Sequence, residues 1–364
     1  MFPGLLSLSW IVQYTNIGDF HFFLSPTLRR CSVSEIHPDL KYIGTRCAAL
    51  EDFTVLQDSD TAQLSEAVRS CKGLKRLRCP PLDSAAWMHL STIPSLLEAR
   101  ILTSRIVHWH LDNLDFATFL NLTTLSLCGI NVADVVAIIQ HFEFPSLKEF
   151  EMQVHVLPSA EAEQLFRALS QCKASQTLEH INISSRDRIQ EPSGDSLMAV
   201  RHFLCFKQLR TLRLSAHCPI YLDNDLLFEA MTSWPHIRSL SLVDWYPCPP
   251  TVTFRGLFAA LRLCPRLQDL QVSLDDRNID IEPEAESFQH TSLKTLIVGS
   301  SELGEADVEA IARIIFSMLP AVDRVMCASG VPRSWNNVNR HLQLLRNKPS
   351  SAPGCCITGA ASDL

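Results

Sequence analysis

The chain repeats one pattern of apolar and polar positions from end to end: an apolar residue, two others, an apolar residue, one other, an apolar residue. In order, the units are LLSLSW from Leu5, LRRCSV from Leu28, LEDFTV from Leu50, LKRLRC from Leu74, LLEARI from Leu96 and LTTLSL from Leu122. They continue with LKEFEM from Leu147, LEHINI from Leu178, LRTLRL from Leu209, IRSLSL from Ile237, LQDLQV from Leu267, LKTLIV from Leu293 and VDRVMC from Val322. Successive units lie 22 to 31 residues apart. The last two apolar positions of a unit stand two residues apart, so in a strand they share a face while the residues beside them point the other way. In CPRLQDLQVS, Cys264 to Ser273, this sends Leu270 and Val272 inward and Asp269 and Gln271 outward, with Leu267 at the turn into the strand.

Between the strands the apolar spacing becomes helical. Val132 to His141 carries Val132, Val135, Val136 and Ile139 on one stripe, and Glu161 to Leu169, Phe254 to Leu263 and Glu305 to Phe316 behave likewise. Pro3, Pro26, Pro94, Pro145, Pro235, Pro265 and Pro320 each stand two residues before the first apolar position of a unit, where proline ends a helix. Cys47, Cys71 and Cys264 stand three residues before theirs, suited to filling a tight turn. A strand and a return helix at this period predict an α/β fold, a leucine-rich-repeat solenoid of about 12–13 repeats. It would be an open horseshoe with parallel strands on the concave face and helices on the convex face. Residues 1–347 form that solenoid in this reading, and residues 348–364, with little to pack, a disordered C-terminal tail.

Composition narrows the function. An apolar fraction of 46% supports a sizeable core, and a net charge of −7 disfavours nucleic acid as a partner, which calls for a basic face. The thirteen cysteines are scattered and several fall in strand patterns, so they read as small buried hydrophobes in a reducing compartment rather than a disulfide or metal framework. MFPGLLSLSWIV lacks the basic lead and cleavage site of a signal peptide, and no apolar run reaches the ~18 residues of a membrane span. An intracellular protein, cytoplasmic or nuclear and not membrane-bound, is expected.

The cysteine or proline ahead of Leu-x-x-Leu-x-Leu, with helical returns of this length, resembles the leucine-rich-repeat arm of F-box proteins. More narrowly, FPGLLSLSW at Phe2 to Trp10 and HFFLSPTLRRCSVS at His21 to Ser34 are similar to a large fungal family of F-box-like proteins. The later CKGLKRLRC and CPRLQDLQV share that likeness, which spans residues 1–347. In that family FP-x-L-x-x-L-x-W opens the solenoid after an N-terminal F-box. The resemblance implies a non-enzymatic interaction scaffold, the substrate-recognition arm of an SCF ubiquitin ligase, with a protein substrate on the concave face. The F-box, which binds the Skp1 adaptor, is not found upstream of Phe2, so Skp1 is expected as a partner only if the full-length product carries one. No residue of this chain is assigned to it.

Signatures of catalysis are absent: the sequence holds no phosphate-binding loop, Gly-x-Ser-x-Gly or His-Glu-x-x-His, and no enzyme or cofactor is expected. His108-Trp-His110 reads as a loop rather than half a metal site, and Asp275-Asp276 as a solvated turn. The candidate partner-binding residues are instead the outward strand positions. These are Arg76, Arg78, Glu98, Arg100, Thr124, Ser126, Glu149, Glu151, His180, Asn182, Thr211, Arg213, Ser239, Ser241, Asp269 and Gln271, with Thr295 and Ile297 closing the row. Arginines followed by a glutamate pair suit a protein partner of complementary charge. The alternative is a small-ligand or phosphate receptor using Arg76, Arg78 and Arg100. Trp109, Trp245 and Tyr246, in loops after strands, are candidate anchors; Trp87 is expected to pack beside Leu90 in its helix.

Overall fold

A computed structural model describes residues 2, 4–11, 20–57, 61–103, 116–186, 198–216, 220–244, 251–275, 279–281, 288–299, 307–327 and 333–347. Thirteen strands form one parallel sheet: β1 (Ser7–Trp10), β2 (Arg30–Val33), β3 (Asp52–Val55), β4 (Arg76–Cys79), β5 (Glu98–Leu102), β7 (Thr124–Cys128), β9 (Glu149–Val154), β10 (His180–Ser185), β11 (Thr211–Ala216), β12 (Ser239–Asp244), β13 (Asp269–Val272), β14 (Thr295–Val298) and β15 (Val325–Cys327). In that order each inner strand pairs with the one before and the one after it, β1 and β15 are the two edges, and the sheet does not close into a barrel. Two further strands, β6 (Ala117–Thr118) and β8 (Phe142–Glu143), make a small sheet of their own.

Every expected strand is present, beginning two residues past the first apolar position of its unit, or three in the last. In β11, Leu212, Leu214 and Ala216 are buried while Thr211, Arg213 and Ser215 face out. The register puts Thr211 beside His180 and Ser239, and Leu212 beside Ile181 and Leu240. A recurring hydrogen bond fixes it. The residue just before a strand and the strand's first residue face a single carbonyl of the preceding unit: Lys75 and Arg76 both donate to Glu51, Leu97 and Glu98 to Lys75, Arg210 and Thr211 to Glu179, Gln268 and Asp269 to Arg238. A carbonyl oxygen has two lone pairs, so one acceptor seats two donors and ties each turn to its neighbour.

The second layer holds eleven helices among the described residues. The shorter ones are α1 (Phe20–Phe23), α2 (Ile43–Arg46) and α7 (Ala199–Phe203). The longer ones are α3 (Thr61–Ser70), α4 (Ser84–Ser91), α5 (Val132–His141), α6 (Ser159–Gln171), α8 (Asn224–Ser233), α9 (Phe254–Leu261), α10 (Val308–Met318) and α11 (Arg333–Asn347). Side chains cap several N-termini: Asp83, Asn131 and Asp223 accept from the backbone N–H three residues on, at 2.7, 2.8 and 2.8 Å. In α5 the buried stripe is Val132, Val135, Ile138 and Ile139; Val136, expected on it, is half-buried because the helix turns Ile138 toward the sheet instead. Trp87 is fully buried, packed 5.9 Å from Phe119 in an aromatic cluster with Phe142 and Phe144. No helix among the described residues is long and apolar enough to cross a membrane. The tail 348–364, Trp109, Trp245, Tyr246, Asp276 and the pair His108 and His110 lie outside the described residues.

The cysteines of the turns sit where the packing argument puts them. Cys264 accepts the Leu267 N–H at 3.0 Å through its carbonyl, and its thiol donates to the Met231 carbonyl at 3.3 Å. Burial pushes the thiol of Cys47 up to about 11 and those of Cys71 and Cys264 up to about 12, from an ordinary 9.0; Cys31 and Cys79 are raised further by the same cause. Only the thiolate is a nucleophile, so iodoacetamide near pH 8 should leave these five unmodified in the native protein and label them in denaturant. Peptide mass spectrometry reads the result, and native labelling at the denatured rate would remove these side chains from the core. The linkage has a definite sign. Below pH 9 both states keep the proton and stability is whole; above it the unfolded chain ionises first. Stability should therefore fall as pH rises from about 9 toward 12, by about 1.4 kcal/mol per pH unit for a thiol such as Cys71.

Candidate functional site

The strand alternation leaves one face of the sheet free of helices, and the register lines its side chains into rows about 4.8 Å apart from strand to strand. One row runs Arg30, Asp52, Arg76, Glu98, Thr124, Glu149, His180, Thr211, Ser239, Asp269 and Thr295. The next runs Ser32, Thr54, Arg78, Arg100, Ser126, Glu151, Asn182, Arg213, Ser241, Gln271 and Ile297. All sixteen strand residues expected to face outward stand in these two rows.

Charge separates along the rows. Over β1 to β5 the face holds a shallow pocket of about 370 Å³ whose charged lining is Arg30, Arg76, Arg78, Arg100, Asp52 and Glu98. Arg76 Nη2 lies 2.5 Å from Asp52 Oδ2, and Arg100 Nε pairs with Glu98. The three arginines expected to converge thus divide: two are engaged by carboxylates, while Arg78 stands exposed with no ion-pair partner among the described residues. Arg30, omitted from the sequence-based set, is in the same condition. The rule that found Arg76 and Arg78, two and four residues past the first apolar position, also finds Arg30 and Ser32 when applied to the unit from Leu28.

Two strands beyond β5 in the sheet, on β9, Glu149 and Glu151 carry the opposite sign. Glu151 accepts from Ser126 at 3.0 Å and from Asn182 at 3.5 Å, and Glu149 from Thr124 at 3.4 Å. These donors are neutral, so they orient the carboxylates across three strands without cancelling their charge. Beyond them the face is mostly neutral: Ser241 donates to Gln271 at 2.7 Å, and Arg213 is exposed. Two residues expected to contact a partner are covered. Ser126 is 2% exposed and Ser239 7%, because a short hydroxyl side chain sinks between longer neighbours; Ser126 serves the face by holding Glu151.

No family model matches this chain, and no curated protein matches it.

Proposed function

We propose that this chain is a leucine-rich-repeat protein that binds another protein on the helix-free face of its sheet, and that it is the substrate-recognition arm of an F-box-type ubiquitin ligase. The observation that carries the first part is the two registered rows of outward side chains, positive over β2 to β5 and negative over β9. A ladder of fixed side chains spaced by strand pairing offers many contacts at little cost in ordering, and opposite charges in separate blocks set the orientation of the partner. The second part rests on the likeness of FPGLLSLSW and its companion segments to the F-box-like family.

The test is cross-linking from the face. With a photoreactive residue at Thr211, a defined partner should be captured from cells, and Glu149→Arg with Glu151→Arg should reduce that capture about tenfold or more. Capture unchanged in the double variant would sink the protein-binding face. Recovery of Skp1 and a cullin with the full-length product supports the ligase assignment, and their absence removes it while leaving the binding face.

A further inference from the structure

The pocket over β1 to β5 holds four arginines and two carboxylates in a protein whose formal net charge is −7. Each carboxylate is occupied by an arginine, Asp52 by Arg76 and Glu98 by Arg100. Two guanidinium groups, Arg30 on β2 and Arg78 on β4, have no ion-pair partner among the described residues, and they stand diagonally across β3, Arg30 beside Asp52 and Arg78 beside Thr54. The strands carrying them are about 10 Å apart, and the two residues are offset by two positions along the strands, a diagonal that two arginine side chains can close from opposite sides onto one group over β3. Ser32 and Thr54 add hydroxyl donors on the same floor.

We propose that this pocket binds a phosphate monoester carried by the partner protein, a phosphoserine or phosphothreonine in an extended segment laid across the strands. The inference rests on the reading of this face as a protein-binding surface. A guanidinium donates through a fork that one carboxylate, with two oxygens, already fills. Two forks without an ion-pair partner among the described residues and two hydroxyls ask for an acceptor with more oxygens and more charge, and a phosphate dianion supplies three oxygens and nearly two charges. Glu149 and Glu151 lie about 14 Å from Arg78, three strand spacings along the sheet, and accept a lysine or arginine farther along the same segment. Asp52 tunes the site. It engages Arg76 within the pocket through one oxygen, and its second oxygen is buried without a hydrogen-bond partner among the described residues.

Fluorescence anisotropy with three labelled alanine-glycine peptides, identical but for a central phosphothreonine, threonine or glutamate, tests this on the whole chain. The phosphopeptide should bind at least about tenfold more tightly than either twin, and millimolar inorganic phosphate should compete with it. Arg78→Glu and the milder Arg78→Gln should both erase the preference, while Arg213→Glu, on the same face at β11, should leave it intact. Asp52→Ser, which releases Arg76, should strengthen it. Equal binding of the three peptides overturns the proposal, as does a glutamate peptide matching the phosphopeptide, or a preference that survives both Arg78 variants. Partner capture that is still lost in the Glu149→Arg, Glu151→Arg variant, in the absence of any phosphate preference, would sink this inference alone and leave the binding face standing.

Discussion

Trp234→Ala is expected to lower the unfolding free energy by about 3–5 kcal/mol and to divide one urea transition into two. Trp234 is fully buried just past the end of α8 and reaches into three units at once. Its indole N–H donates to the Phe203 carbonyl at 2.9 Å, its backbone N–H to Ala230 at 3.0 Å, and its carbonyl accepts the Cys264 thiol at 3.6 Å. The principal contacts between elements join neighbours along the chain, such as β10 with β11, β11 with β12 and α8 with α9. In such an array stability is a sum of unit and interface contributions. A cavity at one interface therefore weakens the coupling between the units before β11 and those after β12. Trp234→Phe keeps most of the apolar volume and deletes the donor, so it should cost only about 1–2 kcal/mol and preserve a single transition. Circular dichroism in urea reads both variants. A loss under 1 kcal/mol for Trp234→Ala would contradict its place in a continuous core.

The strand layer was legible because its signal is local. Leu74, Leu77 and Cys79 lie within six residues of one another, and burial follows directly from their alternation. The last strand starts one residue late, at Val325, but keeps the register of the repeat, Val325 beside Leu296 and Cys327 beside Val298. The helical layer was less clear: α5 and α9 start where the spacing places them, but α7 is five residues long, and no helix occurs among the described residues between β13 and β14. The electrostatics of the candidate site could not be read at all. Asp52 and Arg76 are 24 residues apart, and only the pairing of β3 with β4 brings them side by side. The carbonyl of Glu51 that seats two backbone donors leaves no mark on side-chain identity. Nor does a serine in an outward position declare whether it is offered to solvent or, like Ser126, covered by its neighbours.

Asn339→Ala should be the second most damaging substitution, for a reason set by the end of the sheet. A parallel sheet that does not close has an edge at its final strand, where backbone donors and acceptors lack the next strand. β15 is that strand, and α11 lies over it. Asn339 takes the place of the missing partner: its Oδ1 accepts the Val325 N–H at 2.9 Å and its Nδ2 donates to the Val325 carbonyl at 2.9 Å. Trp335, Val338 and Leu342, on the same helix, are fully buried, so water cannot substitute when the amide is removed. Alanine leaves a buried N–H and a buried carbonyl unpaired, at about 1–3 kcal/mol each. Asn339→Asp should fail as well, because its second oxygen meets the carbonyl where a donor is required. Arg340→Ala, exposed one residue along, is the control and should stay within about 0.5 kcal/mol of the parent. Hydrogen exchange should show the Val325 amide opening faster in Asn339→Ala while those of β7 keep their protection, since the lesion lies at one end of an array coupled through neighbours. Equal urea midpoints for Asn339→Ala and Arg340→Ala would mean that the helix covers the edge by apolar packing alone.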